Sequence, residues 1–176
     1  LSGAVGVGKT YLLSGIAYEL LVRGMSVRFI DFFQLLAALR SSYSSGQGEK
    51  DVMEPLRNAD VLVIDEMGKG RNTEWEQTVL DSLVMERYNS NRIIIAATNH
   101  PLFTNPKTQP VQLDYGEETR SSGFSPDVYE PFEQRVGKRI FSRMVEMSIF
   151  VELKGEDFRR VGRHSQPSKQ PRTPWN

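Results

Sequence analysis

The run Gly3-Ala4-Val5-Gly6-Val7-Gly8-Lys9-Thr10 constrains the chain more than any other stretch. Its glycines let the backbone curl so that several N–H groups turn toward one point. The residues that follow read as a helix whose positive end faces the same point. Such a loop is a cradle for phosphate, set between a strand and a helix of an α/β sheet. A glycine turn that merely starts a helix is the plainer alternative. The full spacing, the Lys-Thr pair and the periodic segment behind it favour phosphate. The nucleotide-facing residues are then Gly3, Gly6, Val7, Gly8, Lys9, Thr10 and Tyr11, with ATP as the ligand. Lys9 would bridge β- and γ-phosphates, and Thr10 would ligate Mg²⁺.

The rest of the chain repeats the strand-then-helix pattern. Leu12, Leu13, Ile16, Ala17, Leu20 and Leu21 recur at helical spacing from about Lys9 to Arg23, and Gly24 is the stop. Val27–Ile30 is a short buried strand, Phe32–Tyr43 a second helix and Ser41–Lys50 a polar loop. Val61–Ile64 is nearly continuous in apolar residues, as in a parallel sheet covered on both faces. Thr73 and Glu76 form a capping box for a helix carrying Val79, Leu80, Leu83 and Val84. Ile93–Ala97 is another buried strand, closed by Thr98-Asn99-His100-Pro101. Residues 102–129 hold Pro, Gly and Ser with little periodicity and read as a long surface insertion. A helix follows Pro131, with Phe132, Val136, Ile140 and Met144 at four-residue steps, and Ile149–Leu153 is the last strand. The expected fold class is α/β, a P-loop NTPase with a parallel sheet flanked by helices. Residues 1–160 form its core, and 161–176 a basic, Pro-rich disordered tail. Leu1-Ser2 enters the loop without the full strand that normally precedes it, which reads as an amino-terminal truncation.

Composition removes several classes of chemistry. The chain has no cysteine, which excludes disulfides, thiolate catalysis and zinc-thiolate sites. Its formal charge of zero gives no global pull toward nucleic acid, so any basic surface must be local. No apolar run reaches membrane-spanning length and no signal-peptide pattern is present, so the expected place is the cytoplasm, away from membranes.

In sheets of this kind, ligands bind at the carboxyl ends of the strands. Asp65-Glu66 and Asn99 fall at such ends, as does the glycine loop. Asp65 is placed to hold Mg²⁺. Glu66 is placed to orient the attacking water, a role that hydrolysis requires. The alternative is a solvated acidic pair. Asn99 could hold the water or sense the γ-phosphate, or it could be ordinary turn chemistry, with Thr98 a weaker substitute and His100 a turn residue. Arg135, Arg139 and Arg143 recur every four residues and would form one helical stripe. Like charges at that spacing disfavour a helix unless an anion offsets them. Glu133 and Glu146 are one source of that anion. The γ-phosphate of a neighbouring subunit, reached by an arginine finger, is the other.

These motifs together resemble the DnaC/IstB-like branch of the AAA+ ATPases, which contains bacterial helicase loaders and transposition helper proteins. The resemblance is carried by Gly3–Leu13, Glu19–Gly24 leading into Val27–Ile30, Leu62–Gly68, Glu86–Asn89, Ala97–Asn99 and Arg139–Met147. It implies an AAA+ fold with no helical lid domain. Arg143 matches the family's arginine finger, Asn99 its first sensor and Arg159 its second sensor, which contacts nucleotide within the same subunit. It also implies that the helix after the second strand grips single-stranded DNA, with Arg40 and Tyr43 as phosphate and stacking contacts. An ordinary amphipathic helix end is the alternative for those two. The segment from 102 to 129 is longer than the family's usual connector, and the sequence reads as lacking the family's amino-terminal partner-binding domain.

The function expected on this basis is an oligomeric, ATP-hydrolysing helicase loader that acts with a replicative helicase on single-stranded DNA. An IstB-like transposition helper is the nearest alternative. A small-molecule phosphotransferase is a different class, and would need an acceptor pocket and basic lid that the sequence does not reveal. A nucleotide-switched binding module would have little use for Glu66.

Overall fold

A computed structural model of the protein describes residues 1–46, 48–102, 111–113 and 130–159. The expected tail and most of the expected insertion lie outside these residues. The described elements are β1 (Ser2–Gly3), α1 (Lys9–Val22), β2 (Val27–Asp31), α2 (Phe32–Ser45), α3 (Glu49–Asn58), β3 (Val61–Asp65), α4 (Glu74–Asn89), β4 (Ile93–Ala96), β5 (Val111–Leu113), α5 (Phe132–Val136), α6 (Lys138–Met147) and β6 (Val151–Leu153).

Every strand pairing is parallel. The strands form two three-stranded ladders, β2-β3-β4 and β1-β6-β5. A parallel bridge between Ser2 and Thr98 joins them. Thr98 N donates to Leu1 O at 2.9 Å, and Leu1 N donates to Ala96 O at 2.6 Å. The expected single sheet is thus two ladders stitched at the end of β4, because β1 and β4 share little length.

β3 is the centre of the core, with all five residues buried. Alternate side chains along a strand point to opposite faces. Leu62 and Ile64 meet α2, α4, α5 and α6 through Leu36, Leu80, Phe132 and Ile140. Val61 and Val63 meet Leu13 and Ala17 of α1 on the other face. Full burial of each such side chain stabilises the fold by about 1.5–3 kcal/mol, which explains the unbroken apolar run.

The structure departs from the sequence expectation in further places, among them α2, which runs through Ser45 into the expected loop. The polar loop ends sooner than expected, and α3 follows it. Glu49 and Asp51 in its first turn and Arg57 in its last suit the helix dipole, while Met53 and Leu56 bury its apolar side. Pro55 lies inside this helix and hides it from a reading of breakers. Within the expected insertion, Val111–Leu113 is a strand at the sheet edge, paired with β6. Finally, the helix after Pro131 breaks at Gly137 (φ 87°, ψ 149°), a backbone conformation that residues with a Cβ rarely adopt. The capping box at the start of α4 is present, with Thr73 and Glu76 exchanging 3.3 Å hydrogen bonds in both directions.

Candidate nucleotide site

The phosphate loop leaves β1, curls through residues 4–8 and enters α1 at Lys9. A cleft of about 870 Å³ opens beside it. Gly6, Val7, Gly8, Lys9, Thr10 and Tyr11 line it from the loop and α1, Asp65 and Glu66 from the end of β3, Asn99 from the segment after β4, and Arg159 from the segment after β6. Segments far apart in sequence therefore meet at the carboxyl ends of parallel strands. Gly3 sits at the base of the loop on β1, paired with Leu153.

Lys9 is buried and donates to Gly3 O at 2.8 Å and Ala4 O at 2.7 Å. Burial pulls its pKa below the ordinary lysine value; Asp65 and Glu66 oppose that pull, and Arg159 adds to it. The ammonium is thus folded onto its own loop, close to where a phosphate would offer better acceptors. Thr10 Oγ1 donates to Asp65 Oδ2 at 2.6 Å. A hydroxyl and a carboxylate at this separation, facing the cleft, are the hard oxygen donors that Mg²⁺ takes, so the residues present fit that ion.

Glu66 follows at φ 52°, an uncommon conformation for a residue with a side chain. Asp65 Oδ1 accepts its N–H at 2.9 Å. Its carboxylate is ion-paired with Lys69, whose pKa is raised chiefly by that hydrogen bond. Across the cleft, Phe158 N donates to Gly6 O at 3.2 Å. A Cβ on Gly6 would fall 2.0 Å from Asp157 Oδ1, so the segment carrying Arg159 closes on the loop through a glycine-sized gap.

Other candidates lie elsewhere. The break at Gly137 puts Arg135 on α5 and the other two arginines on α6, so the three do not form one helical stripe. Arg135 donates to Gly68 O at 2.5 Å and to Gly70 O, and faces Glu130 rather than Glu133. Arg139 is 3.5 Å from Asp81. Arg143 lies over the Tyr88 ring and donates to Glu146 Oε2 at 2.9 Å. Arg40 pairs with Glu76 at 2.9 Å and lies over Trp75, while Tyr43 donates to Glu49 at 2.7 Å. In this structure both have partners within the chain. His100 Nδ1 lies 2.8 Å from Glu130 O, 30 positions along the chain, while its backbone N–H donates to Thr98 Oγ1 at 3.2 Å.

Sequence reasoning passed over Lys69, Asp157 and Phe158. Lys69 carried a readable signal, a lone cation three residues after Glu66 between two glycines. Asp157 and Phe158 had only their nearness to Arg159.

The first 105 residues match the family model described as IstB-like ATP binding protein. The replicative helicase loader DnaC of Escherichia coli K12 is 35% identical over 99 residues, covering 56% of this chain and 40% of that protein. The chain thus aligns with about two fifths of the length of this curated relative. Among solved structures, the DnaC helicase loader superposes with a TM-score of 0.62 at 24% identity, covering 87% of this chain and 76% of the other. The replication initiator DnaA bound to AMPPCP and single-stranded DNA superposes with a TM-score of 0.63 at 21% identity, covering 88% and 39%. At these identities the superpositions establish a shared fold. The parallel sheet, the phosphate loop at its carboxyl edge and the matched residues lead to one assignment: the chain belongs to the IstB-like ATP-binding family, within the DnaC/IstB-like AAA+ group.

Proposed function

We propose that this chain is the ATP-hydrolysing core of a replicative helicase loader that works on single-stranded DNA. The observation that carries the proposal is that Lys9, Thr10, Asp65, Glu66, Asn99 and Arg159, from four separate segments, line one cleft. In this reading Lys9 binds the β- and γ-phosphates. Thr10 and Asp65 would hold Mg²⁺, which would supply charge neutralisation at the phosphates. Glu66 polarises the attacking water and Asn99 helps position it. Arg159 contacts the nucleotide within the same subunit. Arg143 of a neighbouring subunit in an oligomer supplies the finger that stabilises charge in the transition state. Residues 1–160 act as the core, with 161–176 as an appended tail. The cytoplasmic setting follows from a role in replication.

The helicase and single-stranded DNA are inferred from the helicase-loader name of the E. coli relative and from the single-stranded DNA in the DnaA structure. Arg40 and Tyr43 would have to exchange Glu76 and Glu49 for DNA. The IstB-like name of the matched family leaves room for a second reading, an IstB-like helper that loads a transposase onto duplex DNA.

One experiment separates the readings. Glu66→Gln in the full-length protein should bind ATP yet turn it over poorly, trapping the assembled state. Its capture of a replicative helicase supports loading, whereas capture of a transposase supports the helper role. Intact nucleotide binding by Lys9→Ala would remove the ATP-binding role given to Lys9.

A further inference from the structure

Lys69 lines the phosphate cleft without belonging to the phosphate loop. A tight turn folds it back on Glu66, with Lys69 N donating to Glu66 O at 2.9 Å. The side chains then meet again, ammonium to Glu66 Oε2. Arg135 clamps the far side of the same turn through the carbonyls of Gly68 and Gly70. The turn that carries Lys69 is therefore closed by its own bonds to Glu66 and clamped from α5 by Arg135.

The pair has little reason to exist for stability. The Lys69 and Glu66 side chains are 56% and 31% exposed, and ion pairs this open to water contribute little to folding. What the pair does is occupy the carboxylate that hydrolysis needs. Glu66 can polarise water only if that carboxylate is free to accept a proton. The γ-phosphate of a bound ATP would lie beside that water, hence beside the partner of Glu66. It carries more charge and more acceptor oxygens than one carboxylate, so it competes well for an ammonium. ADP has no such group.

We propose that Lys69 is a positioning residue for Glu66: its ammonium holds the Glu66 carboxylate in the nucleotide-free cleft and passes to a γ-phosphate oxygen when ATP binds, releasing Glu66 to the attacking water. The step exchanges one hydrogen-bond acceptor for another and breaks no covalent bond. It rests on the ATP-hydrolysing reading, and it would prevent the activated carboxylate from forming without a triphosphate.

The test is a double-mutant cycle read by calorimetry in Mg²⁺, with ADP and with the non-hydrolysable analogue AMP-PNP. Wild type, Lys69→Ala, Glu66→Gln and the double variant are compared, with thermal melts confirming that each is folded. Lys69→Ala should weaken AMP-PNP binding roughly tenfold and leave ADP within about twofold. Lys69→Arg should recover part of the loss. Glu66→Gln should tighten AMP-PNP binding severalfold where Lys69 is present and have no such effect on Lys69→Ala. Equal losses for both nucleotides, no loss for either, or the same Glu66→Gln effect with and without Lys69 would each overturn the proposal. A wild-type protein that binds neither nucleotide would overturn the ATP reading itself. Normal binding without coupling would overturn the Lys69 step alone.

Discussion

Thr10 and Asp65 stand 55 positions apart in the chain and 2.6 Å apart in the structure, with the threonine hydroxyl donating to the carboxylate. One begins α1 and the other ends β3, so this bond measures how accurately the sheet brings the phosphate loop to the acidic strand end. In the proposed reading these two oxygens would hold a divalent cation.

Asp65→Asn keeps the shape and the hydrogen bond to Thr10 but removes the anion. ATP affinity in Mg²⁺ should fall about tenfold, while affinity measured in EDTA changes little. Calorimetry with and without the metal gives both values. An equal loss in the two conditions would mean that Asp65 supports the loop rather than the ion.

Arg87 is fully buried and forms no salt bridge among the described residues. It donates instead to carbonyls at the end of α3 and the starts of β3 and β4: Leu56 at 2.8 Å, Ala59 at 2.9 Å, Asp60 at 3.0 Å and Ile93 at 2.6 Å. Burial pulls its pKa down to about 10. Its worth lies in satisfying acceptors that would otherwise be buried without partners. Arg87→Met fills similar volume but leaves those carbonyls bare, and should destabilise the protein by about 3 kcal/mol or more. Urea denaturation measures this. A loss below 1 kcal/mol, on the same scale, would mean that water reaches the carbonyls.

Asp60 ties β2 to β3, accepting from Ser26 Oγ at 2.6 Å and Ser26 N at 2.8 Å. The Ser26 hydroxyl, then the Ser26 backbone N–H, hold its carboxyl below the usual range. A carboxyl with a depressed folded pKa contributes stability that is fully present above its unfolded value, about 3.9, and lost as pH falls through the lower folded value. Urea midpoints of wild type and Asp60→Asn should therefore differ at neutral pH, begin to converge as pH falls below about 4, and meet only below the depressed folded value. A gap that persists in acid would assign the difference to packing.

The parts of this structure legible in the sequence are those where one residue type has one physical reason to be in place. The glycine loop, the apolar run of β3 and the Thr73–Glu76 capping box each follow from local rules, and each is present. Long-range features were not legible. α3 is hidden by Pro55 and a polar start, although Met53 and Leu56 bury it. The arginine stripe assumed one helix, and Gly137 divides it. Lys69 has a local signal, a lone cation between two glycines after Glu66, but the clamp from α5 that fixes its turn lies far along the chain. Family resemblance named Arg143 and the sequence offered Glu146 as its anion, a pairing the structure contains; Tyr88 is the partner that only the structure shows.

Those partners bear on how Arg143 works. It is absent from the described residues that line its own chain's cleft, and its side chain is 40% exposed. Its hold on Glu146 is therefore open to exchange with an outside anion. A finger acting between subunits makes a distinct prediction. Arg143→Ala alone should lose about 10³-fold or more in ATP turnover while still binding ATP. Lys9→Ala should also be inactive, for lack of bound nucleotide. Mixed, the two inactive proteins form interfaces in which an intact site on one subunit faces an intact Arg143 on the other, and turnover should reappear. Steady-state ATPase assays across mixing ratios, with an Arg143→Ala, Lys9→Ala double variant as the control, read this directly. If every mixture stays as inactive as its components although the subunits co-assemble, Arg143 does not act across the interface.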